Sequence, residues 1–255
     1  METLLTISDL SISFGGVRAL DDVSIDVTAG SVAGLIGPNG SGKTTMFNCI
    51  CGYYRPSKGS VRLKEREITS LKPHGVAQQG VGRTFQTPHL FADMTLRQNL
   101  TLAAEFSSSG GQLMSGLFSG KMARMARQRA DTLLEQLGLT AHADAIPGEL
   151  SVGLAKLGDL ARALAIAPRL LLLDEPAVGL NDAERAQLSA LLNDLAGQHS
   201  MTILVVDHNI GFISSICSQI TVLASGRVIS KGTPDQVKAD PAVIQAYLGD
   251  EHGIP

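Results

Sequence analysis

Residues 37–44 contain the residue types and spacing that point most directly to a chemistry. They spell GPNGSGKT and match the phosphate-loop pattern G-x-x-x-x-G-K-[ST]. Glycines let backbone N–H groups wrap around phosphates, Lys43 adds a full positive charge, and the hydroxyl of Thr44 is a ligand for Mg²⁺. A glycine-rich turn without a ligand is the alternative for this pattern taken alone. The residues expected to bind the nucleotide are Gly37, Pro38, Asn39, Gly40, Ser41, Gly42, Lys43, Thr44 and Thr45.

A pair of adjacent carboxylates supplies the acidic groups that such a site needs. Residues 170–176 spell LLLLDEP, an apolar run that ends in Asp174 and Glu175. We expect Asp174 to bind Mg²⁺. Glu175 lies at the carboxyl end of a strand, where open α/β sheets bind ligands, and we expect it to polarise the attacking water as general base. Without the upstream phosphate loop, the pair would be interpreted as solvated acids at a strand end.

The N-terminal part of the sequence predicts the strands that hold the phosphate loop. Apolar and polar residues alternate in LLTISDLSISF and in VSIDV, which is typical of half-buried strands. The apolar run in SVAGLIG predicts a buried strand directly before the loop. After Gly42, residues 43–51 contain no helix breaker and Gly52 is a plausible stop, so a helix is expected to follow the loop.

The rest of the chain alternates strand-like and helix-like segments. Residues 170–173 and 202–206 are short apolar runs, and the stretch between them at 182–197 is helical in pattern. Such alternation predicts a parallel sheet covered on both faces. Residues 107–120 are rich in Gly and Ser and predict a loop that leads into a helix, and two short helices divided at Pro241 are expected near the end.

Composition narrows the class of protein. The 255 residues carry a formal net charge of -3, which argues against nucleic acid as a partner. The apolar runs are far shorter than the ~20 residues that cross a bilayer, and the start, METLLTISDL, does not resemble a signal peptide. We therefore expect the chain to stay in the cytoplasm and to reach a membrane only through a partner. The three cysteines are expected to be buried or inert thiols.

Several spaced motifs together resemble the ATP-binding subunits of ABC transporters over essentially the whole chain. Phe14 in SISFGG matches the aromatic position on which adenine stacks. Gln86 in RTFQ matches a glutamine that contacts the metal and the water, and that faces the membrane partner. His208 matches the histidine that reaches the γ-phosphate. Outside that resemblance, these would be interpreted as an edge-strand aromatic, a surface glutamine and an ordinary strand-end histidine.

The resemblance also implies a dimer in which each ATP lies between one phosphate loop and the other subunit's LSGGQ segment. The matching segment here is LSVGL at residues 150–154. Ser151 and Gly153 are retained and are expected to contact the nucleotide of the opposite subunit, together with N–H groups at the start of a helix. Leu154 stands where the family has glutamine.

The fold implied by the resemblance is of the α/β class. It comprises a P-loop NTPase core with a mostly parallel sheet, an N-terminal antiparallel β subdomain and an α-helical subdomain. We expect residues 1–255 to form a single ABC ATPase domain. Within it, about 1–88 and 165–255 form the nucleotide-binding core with the β subdomain, and about 89–164 form the helical subdomain.

Two stretches, GVGRTFQTPHLFADMTLRQNL and GTPDQVKADPAVIQAYLG, together with the insertion at 107–130, look most like the ATPase of branched-chain amino acid importers. The cofactors implied are ATP and Mg²⁺. The partners implied are transmembrane permease subunits, a second ABC ATPase subunit in a homodimer or heterodimer and, indirectly, an extracytoplasmic solute-binding protein, with the chain peripheral on the inner face of the cell membrane. A catalytically weak partner in an asymmetric pair, a lipopolysaccharide-type exporter ATPase and a non-transport ABC ATPase stay open as alternatives.

A basic stretch follows the Gly- and Ser-rich segment. It contains Lys121, Arg124, Arg127 and Arg129 at helical spacing. Scattered basic residues on a helix usually form a solvated face. The alternative is contact with a transmembrane subunit or with anionic headgroups beside it.

Overall fold

The computed structural model describes residues 2–108, 119–197 and 200–248. Within these ranges, the strands form two sheets. The strands are β1 Thr3–Phe14, β2 Val17–Thr28, β3 Val32–Ile36, β4 Lys58–Leu63, β5 Arg66–Glu67, β6 Val81–Arg83, β7 Leu170–Asp174, β8 Thr202–Val206, β9 Gln219–Ala224 and β10 Arg227–Gly232. The α-helices are α1 Lys43–Ile50, α2 Pro73–Gln78, α3 Leu96–Ser108, α4 Ser119–Gln136, α5 Val152–Ala165, α6 Asp182–Gly197, α7 Ile210–Ile216, α8 Pro234–Ala239 and α9 Pro241–Leu248.

A mostly parallel six-stranded sheet forms the centre of the molecule. Its strand order is β10-β9-β3-β8-β7-β6, and the pairs from β9 to β6 are parallel. Only β10 runs antiparallel to its neighbour. Strands β3, β7 and β8 are buried along their full length, which suits a parallel sheet with both faces covered. The α/β fold class predicted from the sequence is therefore confirmed.

Alternate residues of the central strands enter two hydrophobic cores, one on each face of the sheet. On β7, Leu171 and Leu173 belong to one core, and Leu170 and Leu172 belong to the other. Because successive side chains of a strand point to opposite faces, a continuous apolar run is what a doubly covered strand requires. The run of four leucines thus fixes β7 in the middle of the molecule.

A second, antiparallel sheet is built mainly from the N-terminal residues. Its order is β2-β1-β4-β5, with antiparallel pairing throughout. Leu5, Ile7 and Leu10 of β1 lie in the same core as Phe47 of α1. The N-terminal strands predicted from alternation are present, and they form the antiparallel β subdomain that the family resemblance implied. This sheet packs on the helix that follows the phosphate loop.

Helices α3, α4 and α5 pack against one another and form the helical part of the molecule. Arg129 of α4 donates from Nε to the carbonyl of Ala165 and from Nη2 to the carbonyl of Leu164, at 2.7 and 2.8 Å. These bonds satisfy carbonyls in the last turn of α5. Arg129 is thus exposed and also joins α4 to the end of α5 through these hydrogen bonds.

Two expectations from the sequence have no outcome in this structure. Much of the loop predicted at 107–120, and of the insertion at 107–130, lies outside the described residues. The subdomain boundaries at 89–164 stay a prediction. Among the described residues, no helix is both long and apolar enough to cross a membrane.

Candidate nucleotide-binding and catalytic site

Four parallel strands bring the candidate residues to one edge of the central sheet. Leu35 of β3 and Asp174 of β7 both pair with Val206 of β8, so these strands end at the same level. Strand β6 pairs with β7 through Arg83 and Leu172. The phosphate loop, the two adjacent carboxylates, Gln86 and His208 all follow the carboxyl ends of these strands, where open α/β sheets bind ligands.

The phosphate loop, residues 37–44, has a backbone that requires glycine at two of its fixed positions. Gly37 and Gly42 have φ values of 151° and 106°. A Cβ added at Gly37 would lie 2.0 Å from the carbonyl oxygen of Leu223, and one at Gly42 would lie 2.5 Å from the carbonyl oxygen of Ala19. Neighbouring backbone thus packs closely against the loop, and no residue larger than glycine fits at position 37 or position 42.

Lys43 is held at the centre of this loop. Its Nζ donates to the carbonyl oxygens of Gly37 and Pro38 at 2.7 and 2.8 Å, and it lies 3.4 Å from the hydroxyl of Ser41. Burial lowers the pKa of Lys43, whereas the negative charges of Glu175 and Asp174 act to raise it. The ammonium of Lys43 supplies a point charge for an anion, and the nearby carboxylates offset part of that attraction.

The start of α1 completes the loop. Thr44 is exposed and Thr45 is half-buried in its first turn, while Asn39 and Gly40 are exposed on the loop itself. The hydroxyl of Thr44 and the carboxylate of Asp174 are hard oxygen donors of the kind that Mg²⁺ prefers, with phosphate oxygens and water filling the remaining positions. The residues present therefore fit a magnesium nucleotide.

Asp174 is buried and paired with a residue that the sequence analysis did not single out. Arg83 donates from Nη2 to Asp174 Oδ2 at 3.0 Å and from Nη1 to Asn48 Oδ1 at 2.7 Å. Its guanidinium also lies 4.8 Å from the ring centroid of Phe85. The sequence analysis predicted no strand at residues 81–83, and the Arg83–Asp174 contact depends on how β6 packs beside β7.

Two of the three residues predicted to be catalytic, Gln86 and His208, contact the carboxylate of the third, Glu175. Gln86 Nε2 donates to Glu175 Oε2 at 2.6 Å, and His208 Nε2 lies 2.7 Å from Glu175 Oε1. The Glu175 side chain is 15% exposed, so one face of the carboxylate is accessible to water. Residues 86, 175 and 208, distant in sequence, are therefore brought together by β6, β7 and β8.

The backbone of Glu175 is held as closely as its side chain. Its φ is 50°, in the left-handed region that residues with a Cβ rarely adopt. Its N–H donates to the carbonyl of Val206 at 2.8 Å. Its carbonyl accepts a hydrogen bond from Lys156 Nζ at 2.8 Å and a longer one from the N–H of Val178 at 3.4 Å. The sequence analysis missed Lys156, because nothing in the local pattern indicates that a lysine in α5 reaches the end of β7.

Phe14, the candidate for adenine stacking, ends β1 with 44% of its surface exposed. Its ring lies 5.1 Å from that of Tyr54 in an edge-on arrangement. An exposed aromatic pair of this kind offers a flat apolar face, which a base can stack on. Tyr54 is a second aromatic of this surface that sequence reasoning did not identify.

Ser151 and Gly153 lie at the start of α5. Ser151 is the N-cap residue, and its hydroxyl accepts a hydrogen bond from the N–H of Leu154 at 3.3 Å. A Cβ at Gly153 would lie 2.9 Å from Oε1 of Glu184. The Leu154 side chain packs against the hydrophobic core and lines a cavity of about 490 Å³ between α5 and α6. The residue that departs from the family motif thus points into the molecule.

Comparison with known proteins is consistent with this geometry. A family model described as "ABC transporter" matches residues 20–178, more than half of the chain. The chain belongs to the ABC transporter family. It is an ATP-binding and ATP-hydrolysing protein, as the sequence analysis predicted. A second model, described as "Branched-chain amino acid ATP-binding cassette transporter", matches residues 227–253 of this ABC ATPase.

Several curated relatives extend over nearly the whole ABC ATPase. It is 38% identical to the high-affinity branched-chain amino acid transport ATP-binding protein LivG of Salmonella typhimurium, over 98% of this chain and 99% of the relative. It is 39% identical to BraF of Pseudomonas aeruginosa, over 97% and 98%. The lipopolysaccharide export ATP-binding protein LptB of Acidithiobacillus ferridurans is 35% identical, over the full length of both chains.

Solved structures agree with this fold. The ADP conformation of MJ1267, an ATP-binding cassette of an ABC transporter, superposes with a TM-score of 0.84 at 29% identity, covering 98% of this chain and 100% of that one. A nucleotide-free ATP-binding cassette superposes with a TM-score of 0.81 at 30% identity, covering 96% and 98%. The ABC ATPase architecture expected from the sequence is therefore confirmed.

Proposed function

We propose that this ATPase powers the uptake of branched-chain amino acids, or of a related amino acid or amide, through separate membrane subunits. ATP hydrolysis is supported by one observation: Gln86 and His208 both contact the Glu175 carboxylate, at the edge of the sheet where the phosphate loop lies. The substrate class is supported by the model matched at residues 227–253 and by the names of LivG and BraF.

In this proposal, each candidate residue has a defined role. The phosphate loop and Lys43 bind the phosphates, and Phe14 stacks on adenine. Thr44, Asp174 and Gln86 hold Mg²⁺, which when bound neutralises charge on the phosphate oxygens. Glu175 accepts a proton from the attacking water at a carboxylate oxygen, and His208 reaches the γ-phosphate. Catalysis thus consists mostly of positioning and charge neutralisation.

The proposed partners follow from the exposed start of α5. A second ABC ATPase subunit, identical or related, would place its Ser151 and Gly153 positions, or their equivalents, over the nucleotide bound here. Support comes from MJ0796, an ABC transporter cassette described as dimeric, which superposes with a TM-score of 0.78 at 26% identity and covers 91% of this chain and 99% of that one. Permease subunits would hold the dimer on the inner face of the membrane, and an extracytoplasmic solute-binding protein would act through them.

An uptake experiment tests the substrate class. The chain would be produced with candidate membrane subunits and a candidate solute-binding protein, in cells that lack their own branched-chain amino acid uptake. We expect labelled leucine to accumulate, and we expect no accumulation with Glu175→Gln. Uptake of an amide without leucine would reassign the substrate. No uptake, together with rescue of lipopolysaccharide export in cells depleted of their own export ATPase, would favour the exporter alternative.

A second candidate is a catalytically weak subunit in an asymmetric pair. Leu154 in LSVGL leaves this candidate open, because the family has glutamine at that position. Turnover measured with the chain alone and with a candidate second ABC ATPase subunit separates the two. Robust turnover alone, lost in Glu175→Gln, would favour an active homodimer, whereas turnover only in the mixture would favour the asymmetric pair.

A further inference from the structure

Lys156 lies in the second turn of α5 and is half-buried. Its Nζ donates a 2.8 Å hydrogen bond to the backbone carbonyl of Glu175. The amine therefore joins α5 to the end of β7, the strand that positions the Glu175 carboxylate.

The hydrogen bond from Lys156 is made to a residue, Glu175, whose backbone conformation is unfavourable. Glu175 has a left-handed φ of 50°, a conformation that persists in a residue with a Cβ only when the surroundings hold it. Of the two hydrogen bonds to its carbonyl, the one from Lys156 is shorter than the 3.4 Å bond from Val178. A charged donor also makes the stronger bond. Lys156 is thus the main support of this carbonyl.

Partial burial makes it less favourable for the Lys156 amine to carry a charge. Burial lowers the pKa of Lys156, and the carboxylates of Asp207 and Glu175 act to raise it. The cavity that Lys156 lines is mixed in character, because leucines and carboxylates both line it: Leu154, Leu157, Leu180, Asp159, Asp174 and Glu184. A half-buried lysine whose amine donates to the backbone carbonyl of a candidate catalytic residue is a candidate for a functional rather than a surface role.

We propose that Lys156 is a positioning residue that holds the backbone of Glu175 so that its carboxylate lies between Gln86 and His208. The inference rests on the proposed function, in which Glu175 is the general base. It also connects two parts of the site. Ser151, the residue that would contact the partner's nucleotide, and Lys156 lie on the same helix about 7.5 Å apart along its axis. Displacement of α5 would therefore displace the general base of the same subunit.

The test compares Lys156→Met with wild type and with Lys156→Arg in a steady-state ATPase assay. Met keeps the length and apolar part of lysine and removes the donor. We expect kcat of Lys156→Met to fall about tenfold to a hundredfold, as misplacement of a catalytic group does. ATP affinity and Tm should stay close to wild type, and Lys156→Arg should retain clearly more activity than the Met variant. Lys238→Met, which removes an exposed lysine of α8, is the matched control and should keep the wild-type rate.

A double variant separates this inference from the proposed function. If Lys156 acts through Glu175, Lys156→Met should cause no further loss in a Glu175→Gln background, because groups that act as a unit are not additive. The inference is overturned if Lys156→Met turns over like wild type while Glu175→Gln is inactive. It is equally overturned if the Met variant loses Tm and ATP affinity in step with kcat, which would indicate a purely structural lysine. If Glu175→Gln itself turns over like wild type, the proposed function fails instead.

Discussion

At the scale of single residues, the site consists of charges whose positions are fixed by hydrogen bonds. Gln86 and His208 each contact one oxygen of the Glu175 carboxylate. Arg83 holds Asp174, and the loop carbonyls hold Lys43. Because the groups are already oriented, little reorganisation is needed when a phosphate enters, and this preorganisation is the usual source of electrostatic catalysis.

The charge of Lys43 should be required for nucleotide binding. Lys43→Ala removes both the ammonium and its hydrogen bonds, so we expect ATP affinity to fall at least about tenfold, equivalent to about 1.4 kcal/mol. Isothermal titration measures this directly, and Lys58→Ala, an exposed lysine of β4, is the control. An unchanged affinity would contradict the phosphate-loop assignment.

The same lysine should make nucleotide binding sensitive to alkaline pH. Burial lowers the pKa of Lys43, so the amine loses its proton at a lower pH than an ordinary lysine does. Above that pKa the attraction for phosphates is lost, and we expect ATP affinity to decline on the alkaline side in wild type but not in Lys43→Ala. Parallel pH profiles for the two proteins would refute this explanation.

At the scale of elements, helix α5 joins the two halves of the site. Its first residue follows Ser151, its second turn carries Lys156, and its last carbonyls are bound by Arg129. The apolar side of the same helix, including Leu154, packs against the core. The helix therefore combines an exposed start, suited to a partner's nucleotide, with a face that is fixed inside the molecule.

Replacing Leu154 by the family's glutamine should affect stability more than activity. The Leu154 side chain packs inward, and its N–H, which bonds Ser151, is unchanged by the substitution. We expect Leu154→Gln to cost about 1 kcal/mol of unfolding free energy and to lower Tm, because an amide replaces an apolar contact. Val152→Gln, at an exposed position in the same turn, should leave Tm unchanged. A several-fold increase in ATPase rate in Leu154→Gln would indicate instead that this side chain reaches the nucleotide.

Much of the fold could be predicted from the sequence because its elements are marked locally. Gly37 and Gly42 in the motif predict the turn of the phosphate loop. The leucine run of β7 predicts a strand that is buried on both faces. Contacts made by long side chains across elements could not be predicted. The bonds of Arg83 to Asp174 and of Lys156 to Glu175 depend on how β6 and α5 pack against β7, which no local pattern encodes. The roles of the site residues and the subdomain boundaries stay predictions.

At the scale of the whole molecule, two hydrophobic cores enclose the central sheet, and the three cysteines belong to them. Cys49 and Cys51 lie in one core and Cys217 in the other, and all three are free and buried. Burial raises the pKa of Cys49 and Cys51 to about 11 and that of Cys217 to about 12. The expectation of buried thiols is therefore confirmed.

The buried thiols should be unreactive in the folded protein and should make it less stable at high pH. At pH 8, a thiol reagent such as DTNB should label none of them in the native state and all three in denaturant. The unfolded thiols ionise near their ordinary pKa of 9.0, whereas the folded ones stay protonated to about 11. The unfolding free energy should thus be intact below about pH 9 and should decline as pH rises toward 11. Rapid labelling of native protein would contradict the buried placement.

Phosphate release by Glu175→Gln shows most directly whether Glu175 is the general base of this ATP-hydrolysing site. Turnover and ATP affinity would be measured for wild type, for Glu175→Gln and for the control Glu135→Gln, an exposed glutamate of α4, each alone and with a candidate second ABC ATPase subunit. We predict that Glu175→Gln binds ATP like wild type but loses turnover by about a hundredfold or more, while Glu135→Gln is unaffected. Turnover by Glu175→Gln at the wild-type rate would contradict the account.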